Sequence, residues 1–122
     1  MIITLLILNI CHWGADFTPL SSSWMLNAKR FGKPLFPILA HAGVHTLLFF
    51  MAVFVLHGLE KALLTAAIQA PTHFIIDTVK GRMNGWFPVL QNSEKRSFWT
   101  VFGADQFLHQ CVIIGIAALV CL

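Results

Sequence analysis

Four pairs of side chains able to ligate a metal or move a proton recur at one spacing: His12 and Asp16, His41 and His45, His73 and Asp77, Asp105 and His109. Residues four apart share a helix face, with Cβ atoms roughly 6 Å from each other, so each pair would aim two such groups in one direction. The chain holds six histidines and three aspartates. Scattered at random, these would give about 0.6 pairs when helical spacing is the template counted. Only His57 stands outside the set. Mixed imidazole and carboxylate ligation suits a divalent transition metal, Zn²⁺ first and Mn²⁺ or Fe²⁺ next, better than Ca²⁺ or Mg²⁺, which take oxygen alone. Eight candidate ligands exceed what one tetrahedral zinc needs. The set therefore predicts one or two ions, with any residue not on a metal orienting its neighbours. The competing reading is a metal-free polar network or proton relay, because a lone histidine on an apolar helix is more often a hydrogen-bonded packing residue than a ligand.

The segments that must carry these pairs are apolar. Of the 122 residues 57% are hydrophobic and 11% charged, and mean hydropathy is +0.77. A soluble domain carries roughly a quarter charged residues, whereas a transmembrane helix needs about 20 mostly apolar ones. Segments 2–20, 35–57, 59–80 and 99–121 qualify, the third least well because Gln69, Asp77 and Lys80 interrupt it. The expected architecture is all-α, a four-helix transmembrane bundle forming a single domain over 1–122, with long connections at 21–34 and 81–98 and a short one near His57-Gly58. A signal peptide is disfavoured for the first segment: no basic residue precedes Ile2, and His12 and Asp16 fall where the apolar stretch and cleavage site belong. Cys11, Cys111 and Cys121 show no CxxC spacing and read as small apolar helix residues.

Charge orients the bundle. With four spans, both long connections lie on one side, and seven of the eight Lys and Arg residues flank or occupy them. Both connections are then expected in the cytoplasm and both termini outside, in a multi-pass protein of the bacterial inner membrane. Trp13, Trp24, Trp86 and Trp99 sit in or beside the same connections, where tryptophan favours the headgroup layer. The net charge of +3 is thus topological, and with no basic amphipathic surface of useful length nucleic acid is not an expected partner. At 1.5 Å rise per residue all four pairs lie one or two turns below the cytoplasmic interface. An aspartate at bilayer depth costs roughly 2.5–3.5 kcal/mol on insertion scales, and three facing one another would repel. A bound divalent cation resolves both costs.

These residues resemble a domain-of-unknown-function family of small bacterial and phage integral inner-membrane proteins. The order HWGADF (12–17), a basic loop with Lys29, HAGVH (41–45), HFIIDTVK (73–80) and DQFLH (105–109) matches its HxxxDF, HxxxH, HFxxDxxK and DQxxH pattern over nearly the whole chain. The glutamine that often follows Asp-Phe in that family is absent here, where Thr18, Pro19 and Leu20 stand. More distantly, the layout is similar to membrane-bound metal-dependent hydrolases. The resemblance implies a fold and a motif set without an established activity.

The leading functional expectation is a metal-dependent hydrolase acting on a lipid headgroup or phosphoester at the cytoplasmic leaflet. Water activated by the ion would be the nucleophile. Asp105 or Asp16 would serve as base, Lys80, Arg82 and Lys29 would steady a phosphate, and Gln106 would hydrogen-bond inside the site. The ligand candidates are His12, Asp16, His41, His45, His73, Asp77, Asp105 and His109. Alternatives are a metal-ion or proton carrier, haem held between facing histidines, and a non-enzymatic membrane accessory protein, phage-encoded in one version, whose polar cluster only locks the bundle. Membrane lipid is the expected partner, with a homo-oligomer or a membrane-protein partner as further possibilities.

Overall fold

The computed structural model describes residues 1–122. Every regular element is helical: α1 (Ile2–Phe17), α2 (Ser23–Phe31), α3 (Leu35–His57), α4 (Leu59–Trp86), a 3-10 turn at Pro88–Gln91, and α5 (Arg96–Val120). The helical bundle follows the sequence expectation, with three boundary corrections. α1 stops at Phe17 rather than at residue 20, because Pro19 forces Thr18 into extended backbone (φ −121°, ψ 170°). The connection expected at 21–34 contains a helix of its own. And α4 runs on to Trp86, six residues past its expected end, until Phe87 before Pro88 turns it off. Pro71 lies within α4 without interrupting it.

α1, α3, α4 and α5 each turn one row of residues inward at i,i+4 spacing. The rows are Thr4-Leu8-His12-Asp16, His41-His45-Phe49-Val53, Thr65-Gln69-His73-Asp77 and Asp105-His109-Ile113-Ala117, and all but Asp16 are buried as whole residues. The Asp16 side chain is itself only 6% exposed. Because the rows run in alternating directions, they stack as layers. A carboxylate layer (Asp16, Asp77 and Asp105, with His41) lies under a histidine layer (His12, His45, His73, His109). Above these sits an apolar core built on Leu8, Phe49, Val53, Ala62, Ile113 and Ile116.

The surface is sorted in reverse. Of 28 buried residues 12 are polar or charged, while 33 large apolar side chains are exposed, among them Ile2, Leu6 and Ile10 on α1 and Leu63, Ile75 and Val79 on α4. A water-soluble domain buries such residues and exposes the charges. Two helices, α3 and α5, are long and apolar enough to cross a membrane. α1 is shorter at 16 residues, and α4 is depleted of apolar character by its inward row of Gln69, His73 and Asp77 together with Lys80.

The short helix α2 covers the carboxylate end. Ser22 caps its start, accepting from the Met25 amide, and Gly32 ends it in the left-handed region (φ 67°). Gly32 lies against Gly81 of α4 so closely that a Cβ at Gly81 would collide with the backbone of Gly32 and of Lys29. Two α4 side chains secure the contact: Arg82 Nε donates to the Gly32 carbonyl at 3.0 Å, and Asn84 Nδ2 to the Arg30 carbonyl at 3.1 Å.

Candidate metal centre

The four inner rows bring all eight candidate ligands to one place. The imidazoles of the histidine layer form a closed ring, with centroids 4.9 Å apart for His12–His45, 3.8 Å for His45–His73, 4.3 Å for His73–His109 and 5.2 Å for His109–His12. Rings in such contact leave no slot between them for a haem macrocycle. Each histidine presents Nε2 to a carboxylate: His41 and His45 each lie 3.2 Å from Asp16 Oδ1, His73 lies 3.2 Å from Asp77 Oδ2, and His109 3.2 Å from Asp77 Oδ1. His12 Nε2 is 3.4 Å from Asp16 Oδ2, and His109 Nε2 3.6 Å from Asp105 Oδ1.

Several of these approaches are not hydrogen bonds. His12 Nε2, His73 Nε2, Asp77 Oδ2 and Asp105 Oδ1 are buried with no hydrogen-bond partner, although buried polar atoms are nearly always paired. His41 shows the problem most sharply. Ser21 donates its hydroxyl to the Ala15 carbonyl, and its oxygen lies 2.8 Å from His41 Nδ1. Having spent its proton, that oxygen accepts the Nδ1–H of His41. His41 Nε2 then faces Asp16 Oδ1 at 3.2 Å and Asp77 Oδ2 at 3.4 Å. The Lys29 ammonium is the cation beside these atoms, 3.3 Å from Asp16 Oδ1 and 3.4 Å from His41 Nε2, and a divalent ion would sit alongside it or take its place. Ligands about 2.0–2.1 Å from a tetrahedral zinc stand roughly 3.3 Å from each other, which is the spacing found. Two groups of buried ligand atoms, Asp16, His41, His45 and His73, and then His73, Asp77 and His109, each converge within 4.8 Å and could hold a metal.

Lys29 is placed differently from the sequence expectation. Rather than standing free for a phosphate, its Nζ lies 3.3 Å from both Asp16 Oδ1 and Asp77 Oδ1 and 3.4 Å from His41 Nε2. Burial would lower its pKa, but Asp77, Asp16 and Asp105 outweigh burial and raise it, so the ammonium stays charged. Lys80 pairs with Asp105 at 3.7 Å rather than with Asp77. Gln106 Nε2 donates to Asp105 Oδ2 at 3.2 Å. Arg82 is turned away, engaged with α2. In its place Arg30, unremarked in the sequence, lines a cavity of about 290 Å³ that reaches the cluster at Asp16 and Asp105 and is also lined by Lys29, Lys80 and Gln106.

Sequence reasoning also passed over Ser21 and Gln69. The Gln69 amide lies 3.2 Å from His73 Nδ1. Its Nε2 donates to that nitrogen, while Gln69 Oε1 is left without a partner. Gln69 continues the row of His73 and Asp77 and was discoverable by spacing. Ser21 meets His41 only through the chain reversal after α1, which no spacing reveals. His57, outside the set, lies with Nε2 2.9 Å from Thr4 Oγ1 at the far end of the bundle. The three cysteines are free.

The family model that matches this sequence is described as "Protein of unknown function (DUF3307)", and it covers residues 2–122. The chain belongs to that family. The match takes in every residue of the cluster and names no activity. No curated protein and no solved structure matches the chain.

Proposed function

We propose that this chain is a multi-pass inner-membrane protein that uses one or two divalent transition-metal ions, zinc foremost, to hydrolyse an anionic phosphoester at the cytoplasmic leaflet. The observation that carries the metal is the convergence of buried imidazole and carboxylate atoms, Asp16, His41, His45 and His73 in one group and His73, Asp77 and His109 in another, each within 4.8 Å. The apolar exterior supports a lipid surrounding for all four long helices, including α4, whose polar residues face inward. The basic connections support their cytoplasmic placement.

The cavity supports an anionic substrate, because Lys80, Arg30 and Lys29 line it beside Asp105. A divalent ion would supply one thing, the lowering of the pKa of a nearby water toward neutrality. The chain's own residues supply the rest. Asp16 is surrounded by His12, His41, His45 and Lys29, which commits it to the cluster. Asp105 lines the cavity and belongs to neither group of converging ligand atoms, which suits it as the base. It would take a proton from water as the water oxygen adds to phosphorus. The ester P–O bond breaks, and that proton goes to the departing alcohol. Lys80 and Arg30 hold the phosphate oxygens through this step.

The deciding experiment is elemental analysis of detergent-purified protein together with phosphoester turnover. The wild type is expected to retain metal, and His45→Ala and His73→Ala to lose both metal and turnover. Wild-type protein without metal above background, and without turnover when loaded, would overturn the reading.

One observation favours a second reading, a proton or ion relay. The α4 row continues past His73 to Gln69 and Thr65, and both Gln69 Oε1 and Thr65 Oγ1 are buried without partners. On the other three helices the same level holds Leu8, Phe49 and Ile113, which weighs against a continuous path. Metal or proton flux in proteoliposomes, absent in Gln69→Leu, would favour the relay.

A further inference from the structure

A second cavity, of about 260 Å³, lies in the groove between α4 and α5. Ile75, Ile76, Val79 and Met83 form one wall and Ala104 and Leu108 part of the other. Its apolar residues face outward from the bundle, Ile75, Val79 and Leu108 each being about half exposed. Lys80 and Asp105 line it as well, and both also line the polar cavity over the His/Asp cluster. Lys80 is the hinge of the two spaces, 3.7 Å from Asp105 and 5.3 Å from the Phe102 ring centroid.

An occupant of both spaces must be apolar along one part and anionic at the other. A transmembrane helix of another protein is apolar throughout and would leave the cationic cavity unanswered. A water-soluble phosphoester would leave the groove bare. We propose that the α4–α5 groove seats an acyl chain of the substrate, and that the substrate is a membrane lipid ending in a phosphomonoester, its two negative charges matched by Lys80 and Arg30 with Lys29 behind them. The chain would enter sideways from the bilayer, and its head would come to rest beside Asp105. This rests on the hydrolase reading for the word substrate; the binding site itself does not require turnover.

Lipid-dependent quenching of tryptophan fluorescence tests the assignment, since Trp86 and Trp99 stand near the headgroup end of the groove on α4 and α5. The chelator-treated full chain is placed in phosphatidylcholine vesicles and titrated with lipid brominated on its acyl chains. Phosphatidate is expected to quench with about fivefold preference over phosphatidylglycerol, the worth of roughly one additional lysine contact. Ala104→Phe, which fills the groove without adding a tryptophan, is expected to erase that preference while metal content on reloading stays at the wild-type level. If Ala104→Phe loses its metal through misfolding, Val79→Phe repeats the test from the opposite wall.

Equal quenching by the two lipids, a preference that survives a filled groove, or a change of oligomeric state on filling it would each overturn the proposal. Turnover separates it from the function proposed above. A groove-dependent preference without hydrolysis by any metal-loaded form leaves the lipid site standing and removes the enzyme. Metal-dependent hydrolysis of glycerol 3-phosphate without the lipid preference does the reverse.

Discussion

At the level of single side chains, the cluster is governed by who holds each proton. Ser21 Oγ lies 2.8 Å from His41 Nδ1 and the Gln69 amide nitrogen 3.2 Å from His73 Nδ1, each an outer hydrogen-bond partner of a clustered histidine. Such outer hydrogen-bond partners are typically worth 10–100-fold in metal affinity. Ser21→Ala and Gln69→Leu are therefore expected to weaken metal retention by about that factor in a competitive chelator titration, while far-ultraviolet circular dichroism stays helical. Asp105→Asn separates ligation from chemistry. The amide keeps its shape but cannot take a proton, so metal content is expected to hold while turnover falls on the order of 10²–10⁴-fold. Loss of metal from Asp105→Asn would make Asp105 a ligand and leave the base unassigned.

Among the helices, α2 is the least expected and the most consequential. Nine residues long, it is too short to be stable alone, and it exists because Gly32 can nest against Gly81 while Arg82 and Asn84 hold its last carbonyls. What it delivers is Lys29, whose ammonium supplies a fixed positive charge between Asp16 and Asp77. Gly81→Ala would force the two backbones apart. Overpacking of this kind costs about 1–3 kcal/mol, so a lowered thermal midpoint is expected. The more telling consequence is faster proteolysis within 21–34, as Lys29 leaves the cluster. An unchanged cleavage pattern would mean that α2 is held by contacts other than the glycine crossing.

For the molecule as a whole, polarity runs inside out, the sorting that the proposed lipid surrounding would tolerate. The polar cluster lies at the end where the long connections and seven of the eight Lys and Arg residues gather, while the far half is filled by Leu8, Phe49, Val53 and Ile113. Single cysteines at Asn92 and at Glu60, in a background freed of the three native ones, report the orientation. With both long connections in the cytoplasm, a membrane-impermeant maleimide is expected to label Glu60→Cys from outside intact cells and Asn92→Cys only in inverted vesicles. Labelling of both from one side would remove the four-span arrangement.

The sequence by itself determined the helical character, the four inward rows and the identity of the clustered residues, because i,i+4 spacing is a local property and a helix converts it directly into a shared face. The i,i+4 pairs, His73 with Asp77 for instance, needed no partner helix to be recognised. The tertiary structure alone decided which atoms meet across helices: Ser21 with His41, Lys29 with Asp16 and Asp77, Lys80 with Asp105 instead of Asp77, and Arg82 withdrawn while Arg30 faces the cavity. The placing of Lys29 and the withdrawal of Arg82 depend on the Gly32–Gly81 crossing and the seating of α2. Such contacts join residues tens of positions apart, and their energies follow from packing and charge in three dimensions, which no local periodicity encodes.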